Sequence, residues 1–452
     1  MNQQTNVIRC GTMFDPGADI VISDAVIVMQ GQHIVYAGHS GKAPAIAPEA
    51  KIIDYNDAFV MPGLIDAHVH LSYGEAKTEE DIDLFASLEF RALRGMEAAQ
   101  RILRAGYTSV CDPTTSGRVS LAIRDAIDAG LFVGPRVTCS GRNISSRQGL
   151  VDWYPTWVGV PDTSIGQIVH NKDEGLDAIR QQVKDGVDFI KLSMDGDSMN
   201  PSSIRLACAF RQDEVDLLVD EAHRLGRKVV VHARGAEGVL HAARADADLI
   251  FHASYMDEQA LEAVIENDCA LCPTLSLLVN NIEFAQPSDP SYPALVDAHK
   301  HELDAAAKNL SRAREAGVRF LIGSEAGFAV TPYGEWHARE LENHMKYIGF
   351  SEREVLRQAT VENAWFTQAG SDVGSLTQGS IADILVLAQN PLEDISVPLD
   401  PANILAVYKD GATVDLTPNH NRSRLATEFS YAMWNDVYTR DTLAARNGIA
   451  AE

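Results

Sequence analysis

Apolar and polar positions follow two different rhythms along this chain. Between about residue 60 and about residue 365, short apolar runs alternate with longer stretches of helical period. The runs cover residues 65–70, 108–111, 136–140, 189–192, 229–232, 249–252, 270–273 and 319–323. Most of them precede a segment whose apolar residues recur every three or four positions, as in 213–225 and 257–267. Eight strand–helix units in series predict an α/β chain, specifically a (β/α)8 TIM-like barrel. A doubly wound open sheet is the competing architecture, but no GxGxxG turn follows the first run to support it.

Both ends of the chain change to a period of two. Residues 25–29, a turn at 31–33 and residues 34–36 read as a hairpin, and strands return at 384–387 and 404–408 with a turn at 409–411. Residues 1–58 and 370–420 are therefore expected to build one small β-sandwich domain beside a barrel spanning 59–369. From 421 to 452, Leu425, Phe429, Met433 and Val437 stand at near-helical spacing. That spacing predicts a helical C-terminal tail, packed on its own domain or reaching a neighbouring subunit.

Composition narrows the partners. The 452 residues are 46% hydrophobic and 22% charged, which is ordinary for a globular chain. No apolar run approaches the roughly 18 residues of a spanning helix, and the first ten residues lack the apolar core of a signal peptide. A soluble, cytoplasmic protein is expected. Lys and Arg total 38 against 63 Asp and Glu, a net charge of −25. Like charge repels nucleic acid and anionic membranes, so neither is expected as a partner. A small-molecule substrate is, and the acidic surface with its apolar tail favours a homo-oligomer. Six cysteines are too few for a disulfide scaffold at this length. Cys269 and Cys272 have the spacing of a metal pair, but they lie in an apolar run without a second pair. They are read as buried strand residues.

Catalytic groups of a barrel gather where strands run into the following loops. The first run ends in His68-Val69-His70, and two residues apart on a strand means two imidazoles on one side. The fourth run carries Lys191, the fifth ends in His232, the sixth in His252, and the eighth leads into Glu325. One histidine at such a place is commonly structural. Four histidines, a lysine and a carboxylate, all at strand ends in the same sense, point to a metal centre.

The residues around these positions resemble the amidohydrolase superfamily of metal-dependent hydrolases. Residues 60–70, VMPGLIDAHVH, are similar to its signature, and GSLTQGSIADI at 374–384 with NPLED at 390–394 is similar to the return into its small sandwich. Residues 189–191, 232–238 and 134–142 resemble the branch of imidazolonepropionase-like enzymes, Xaa-Pro dipeptidases, and hydrolases of phenylureas and thiocarbamates. The resemblance implies that His68 and His70 bind one metal and that His232 and His252 bind a second. It implies a CO2-derived carbamate on Lys191 bridging the two, and a metal-activated hydroxide that attacks the substrate. Neutral imidazoles with an anionic bridge suit Zn2+, with Co2+, Mn2+ and Fe2+ as alternatives.

Three positions depart from the family pattern. Glu325 stands where an aspartate usually touches the first metal and carries the proton to the leaving nitrogen, so it is assigned both roles. Gln148-Gly149-Leu150 replaces a frequent Gly-Gly-His turn, and Tyr333-Gly334 replaces a frequent His-Gly. Arg142 and Arg234 could bind a substrate carboxylate, polarise a carbonyl, or pair with acidic loop residues. Tyr255 could donate to the oxyanion or pack beneath its loop. Trp153, Tyr154 and Trp157 could wall an apolar pocket. His337 is expected to be structural, and Asp195 and Asp197 to form a turn. The expected activity is cleavage of a C–N (or C–S) bond in a neutral amide, urea or (thio)carbamate. An Xaa-Pro-type dipeptidase and a non-catalytic scaffold relative are the alternatives.

Overall fold

The computed structural model describes residues 5–196, 206–284, 292–418 and 437–446. The chain begins with an antiparallel meander, β1 (Thr5–Asp15), β2 (Ile20–Gln30) and β3 (His33–His39). The β2–β3 turn has Gly31 at φ 60°, the left-handed conformation that a tight hairpin requires. β4 (Lys51–Asp54) and β5 (Phe59–Pro62) then add to β1 in parallel. After Gly63 alone the chain enters β6 (Leu64–Asp66). A side chain at Gly63 would meet Thr108 Oγ1 at 2.3 Å, so only glycine allows the two sheets to approach so closely at this junction.

From β6 onward strands and helices alternate. β7 (Tyr107–Asp112) and β8 (Arg136–Cys139) pair with β6 in a parallel sheet. A second parallel sheet follows: β9 (Asn143–Ser145), β10 (Gly166–Ile168), β11 (Phe189–Ser193), β12 (Lys228–Ala233), β13 (Leu249–His252) and β14 (Ala270–Cys272). Every residue of β7, β11 and β13 is buried, as expected of parallel strands covered on both faces. The intervening helices include Leu88–Arg104, Lys172–Asp185, Gln212–Arg224 and Glu258–Glu266. Ser87, Asn171 and Asp257 cap three of them by accepting the N–H three residues on, which satisfies one otherwise orphaned donor each. Cys269 and Cys272 are buried core residues.

Two of the expected strands are less regular than their sequences suggest. The first stops at Asp66, not His70, and the eighth forms only isolated bridges, at Phe320 and Ala326. Side chains take over the ladder's role here. Ile322 N–H donates to Asn363 Oδ1, while Ser324 N–H and His68 N–H both donate to Asp66 Oδ1, each at 3.0 Å. The backbone nevertheless connects on both sides: Leu321 N–H donates to Leu271 O, Ala67 N–H to Ile322 O, and His70 N–H to Ala326 O.

The chain then returns to its first sheet. β15 (Ile384–Leu387) pairs antiparallel with β5, followed by β16 (Ile404–Lys409) and β17 (Ala412–Thr413), in the order β17-β16-β15-β5-β1-β2-β3. Ile8, Met13 and Ile27 share one core with Val60, Ile384 and Val386, so the two chain ends are packed together. Of the tail, Leu425, Phe429 and Met433 lie outside the described residues. Val437 is buried, and a short helix follows at Arg440–Arg446. Tyr438 N–H donates to Ala329 O and Trp336 Nε1–H to Tyr438 O, which ties this piece to the loop after Glu325.

Candidate metal centre

The irregular ends of the first and eighth runs converge. His68 Nε2 and His70 Nε2 lie 3.1 Å apart, and Glu325 Oε1 lies 3.7 and 3.5 Å from them. Ligands held about 2.0–2.1 Å from a tetrahedral cation stand roughly 3.4 Å from one another. These three buried side chains form a cluster with that spacing, all their ligand atoms lying within 4.8 Å. His252 Nε2 and Glu325 Oε2 are buried atoms without a protein hydrogen-bond partner. Buried polar atoms are rarely left so, and the donor set fits a divalent cation.

The other expected ligands flank this trio. The His232 and His252 rings are 4.6 Å apart by centroid, and His252 lies 5.9 Å from His68. Thr274 Oγ1 fixes His252 through Nδ1 at 2.7 Å, and His232 Nε2 stands 3.5 Å from the buried Asp195. Lys191 Nζ rests 4.0 Å above the Phe251 ring. Burial brings the Lys191 amine down to about 7, against a normal value of 10.5. Burial also pushes His68, His232 and His252 well below the ordinary imidazole value, which keeps them neutral, as ligation demands. For Glu325, burial raises the carboxyl, but the imidazoles of His68, His252 and His70 outweigh it and hold the group well below its usual value.

Two of these side chains are delivered from left-handed backbone: φ is 73° at His252 and 57° at Glu325. Such conformations cost energy in residues with a Cβ and persist where surrounding bonds enforce them. Glu325 is pinned by its N–H to His68 O and by Thr331 Oγ1 donating to its carbonyl, both at 2.8 Å.

His68, His70, Lys191, His232 and Glu325 line one cavity. Its lining also includes Ile82, Leu150, Trp153, Ile165 and Phe328, which belong to one apolar cluster with Tyr73. Arg234 also lines it, paired with buried Glu302. Several expected substrate contacts are placed elsewhere. Arg142 donates to the Pro161 and Gly166 carbonyls and clips its own loop. Tyr333 does not line the cavity; its hydroxyl donates to His70 O and accepts from Gly74 N–H. Tyr255 is half-buried outside the lining, with its N–H on Arg234 O, after left-handed residues at 252 and 253 redirect the loop. Trp157 is 85% exposed, and Tyr154 turns its hydroxyl to Asp83. Asp195 accepts from Arg234 and Gly235 N–H and so shapes a turn, whereas Asp197 lies outside the described residues. His337 is structural: it is buried against Asp66.

Sequence reasoning missed Asp66, Thr274 and Glu302. Only Asp66 carried a signal, because it stands two residues before His68 and therefore on the same side of the run.

A parallel α/β fold with a buried His-His-carboxylate cluster at the run ends defines a metal-binding hydrolase. The chain belongs to the amidohydrolase family, whose model matches residues 59–414. Among curated relatives, ochratoxinase of Aspergillus niger is 27% identical over 432 residues, covering 90% of this chain and 86% of that protein. Among solved structures, a Xaa-Pro dipeptidase with methionine in its active site superposes with a TM-score of 0.81 at 28% identity, covering 91% of this chain and 99% of that one. A prolidase complexed with N-methylphosphonate-L-proline gives 0.80 at 26%, covering 91% and 100%. These neighbours identify the architecture as TIM-barrel type.

Proposed function

We propose that this protein is a metal-dependent hydrolase that cleaves the C–N bond of an amide, urea or carbamate, or a related C–S ester, in a neutral small molecule bearing a bulky apolar group. The observation that carries this is the cavity's lining, in which the candidate ligands share the space with Ile82, Leu150, Trp153, Ile165 and Phe328. Such a pocket buries an uncharged hydrophobic group while presenting a carbonyl to the ligating side chains.

His68, His70 and Glu325 would hold one cation. His232 and His252 would hold the other, with Lys191 as a carbamate between them. The imidazole set favours Zn2+. A bound cation supplies a nucleophile at neutral pH and an electrophile for the carbonyl oxygen. Glu325 accepts the nucleophile's proton and returns it to the leaving nitrogen, a role supported by its carboxyl being held below the usual value and by one oxygen having no protein hydrogen-bond partner. Arg234 polarises the carbonyl, Trp153 and Phe328 hold the apolar group, and the buried wall excludes water. On this assignment a barrel spanning 59–369 closes through the 319–328 segment, and 1–58 with 370–420 form the small sandwich. A cytoplasmic homo-oligomer completes this reading.

The test is a turnover panel on metal-loaded protein, comparing N-aryl amides, ureas and carbamates with Xaa-Pro dipeptides. Higher kcat/KM for a neutral substrate supports the assignment. A second possibility, a Xaa-Pro-type dipeptidase, is favoured by the likeness to the structures of a Xaa-Pro dipeptidase and a prolidase. If dipeptides win the panel, that activity replaces the first.

A further inference from the structure

Arg234 follows His232 by two residues and is fixed at both ends. Its N–H donates to both Asp195 oxygens at 3.0 Å, and its carbonyl accepts from Tyr255 N–H at 2.8 Å. At the tip, its guanidinium is paired with Glu302 of the helix Tyr292–Glu315, and both side chains are at least 94% buried. Ser254 Oγ donates to the same Glu302 oxygen at 2.9 Å, and Asn309 Nδ2 donates to the Ser254 carbonyl at 3.0 Å. Arg234 lines the same cavity as His68, His70, Lys191, His232 and Glu325.

Packing does not require such a pair. Burying an arginine and a glutamate desolvates two ions, and apolar residues of similar volume fill such space at no greater cost. What the pair provides is an oriented donor whose charge is already balanced. It can still donate to a carbonyl oxygen on which negative charge develops. A substrate carboxylate, by contrast, has to compete with Glu302 for the same guanidinium and stand beside a like charge.

We propose that Glu302 is the specificity-determining residue of this cavity: by holding Arg234 in a balanced pair, it admits a neutral carbonyl compound and rejects one carrying a free carboxylate at that end. This rests on the amide-type hydrolase assignment and names the substrate class it excludes. The test is calorimetric binding of benzamide and benzoate to metal-loaded wild type and to Glu302→Gln, with metal content matched. Glu302→Gln binds benzoate at least tenfold tighter than wild type, roughly the scale of one charge-assisted hydrogen bond, while benzamide changes less than threefold. The double variant Arg234→Gln/Glu302→Gln loses that gain. Glu302→Leu, which leaves no unmatched polar group, gives a second route to the same comparison if the glutamine variant folds poorly. No gain for benzoate, including no detectable binding, overturns the proposal, as does failure of both single variants to fold, which would make Glu302 purely structural. A benzoate gain in a protein that hydrolyses no amide, urea or carbamate sinks the functional assignment alone. Turnover without the gain sinks this inference alone.

Discussion

Asp66 and His337, 271 positions apart, meet at 2.7 Å between Oδ2 and Nδ1, next to the run that bears His68 and His70. Gly334 N–H donates to His337 Nε2, so the proton sits on Nδ1 and is donated to Asp66. The other Asp66 oxygen accepts the N–H groups of His68 and Ser324. One carboxylate thus sets the register between the run bearing His68 and His70 and the run bearing Glu325. Asp66→Ala and His337→Phe should each weaken metal affinity by about 10–100-fold, the usual cost of losing a partner that orients ligands. Metal titration monitored by elemental analysis checks this, with circular dichroism confirming the fold. Unchanged affinity in both variants would show that the pair merely fills space.

Glu325 resolves a geometric question that its sequence raised. A glutamate is one methylene longer than the aspartate expected at this place, yet Oε1 reaches within 3.7 Å of both His68 Nε2 and His70 Nε2. The longer side chain leaves from left-handed backbone at 325, held by the bonds to His68 O and Thr331 Oγ1. Glu325→Gln keeps the shape but cannot carry a proton, so kcat should fall by about 10²–10⁴. Glu325→Asp withdraws the carboxylate from a site fitted to the longer residue and should retain partial activity. Steady-state kinetics with the best panel substrate decides; a glutamine variant within twofold of wild type would place the proton transfer elsewhere.

The parts of this molecule that follow local rules were legible in its sequence. Parallel strands buried on both faces read as continuous apolar runs, so seven of the eight expected runs coincide with strands. His68 and His70 declared themselves through a period of two. The eighth run was not legible as an irregular segment, because its backbone partners are the side chains of Asn363 and Asp66, remote in sequence. β9 and β10 are three residues each, too short to show a period. Long side chains were the least readable. Arg142 and Tyr333 found backbone carbonyls, and Glu302 sits in a helix whose polar pattern gives no hint of a buried partner.

The aromatic residues of the third loop separate cleanly by position. Trp153 lines the cavity, while Trp157 is 85% exposed only four residues later. Trp153→Ala should raise KM for substrates with an aryl or bulky alkyl group by about 10-fold or more, as loss of an aromatic contact surface removes binding that is uniform along the reaction. Its kcat should change little. Trp157→Ala should leave both constants within twofold. Tyr333→Phe loses a buried hydroxyl that bonds the His70 carbonyl, so it should lower stability by about 1–2 kcal/mol without altering substrate preference. Kinetics on a substrate series of graded bulk, with urea unfolding for the tyrosine variant, tests all three.

Lys191 offers a prediction with a definite sign. Its buried amine titrates near 7, whereas the unfolded chain's lysine titrates near 10.5. Between those values the unfolded state binds the proton more strongly, so stability rises with pH across that window. The contribution is complete above about 10.5 and lost as pH falls through about 7. Chelator-treated wild type should therefore gain stability between pH 7 and pH 9 relative to chelator-treated Lys191→Met, measured as the shift in urea midpoint. The same neutral amine is the form that reacts with CO2 to give a carbamate. Removing it in Lys191→Ala should cost bound metal and activity, and a small carboxylate such as acetate should restore both in part by occupying the vacated space. Equal pH slopes for wild type and Lys191→Met would show the amine to be solvated in solution. Full metal content and activity in Lys191→Ala without added carboxylate would remove the lysine from the metal centre.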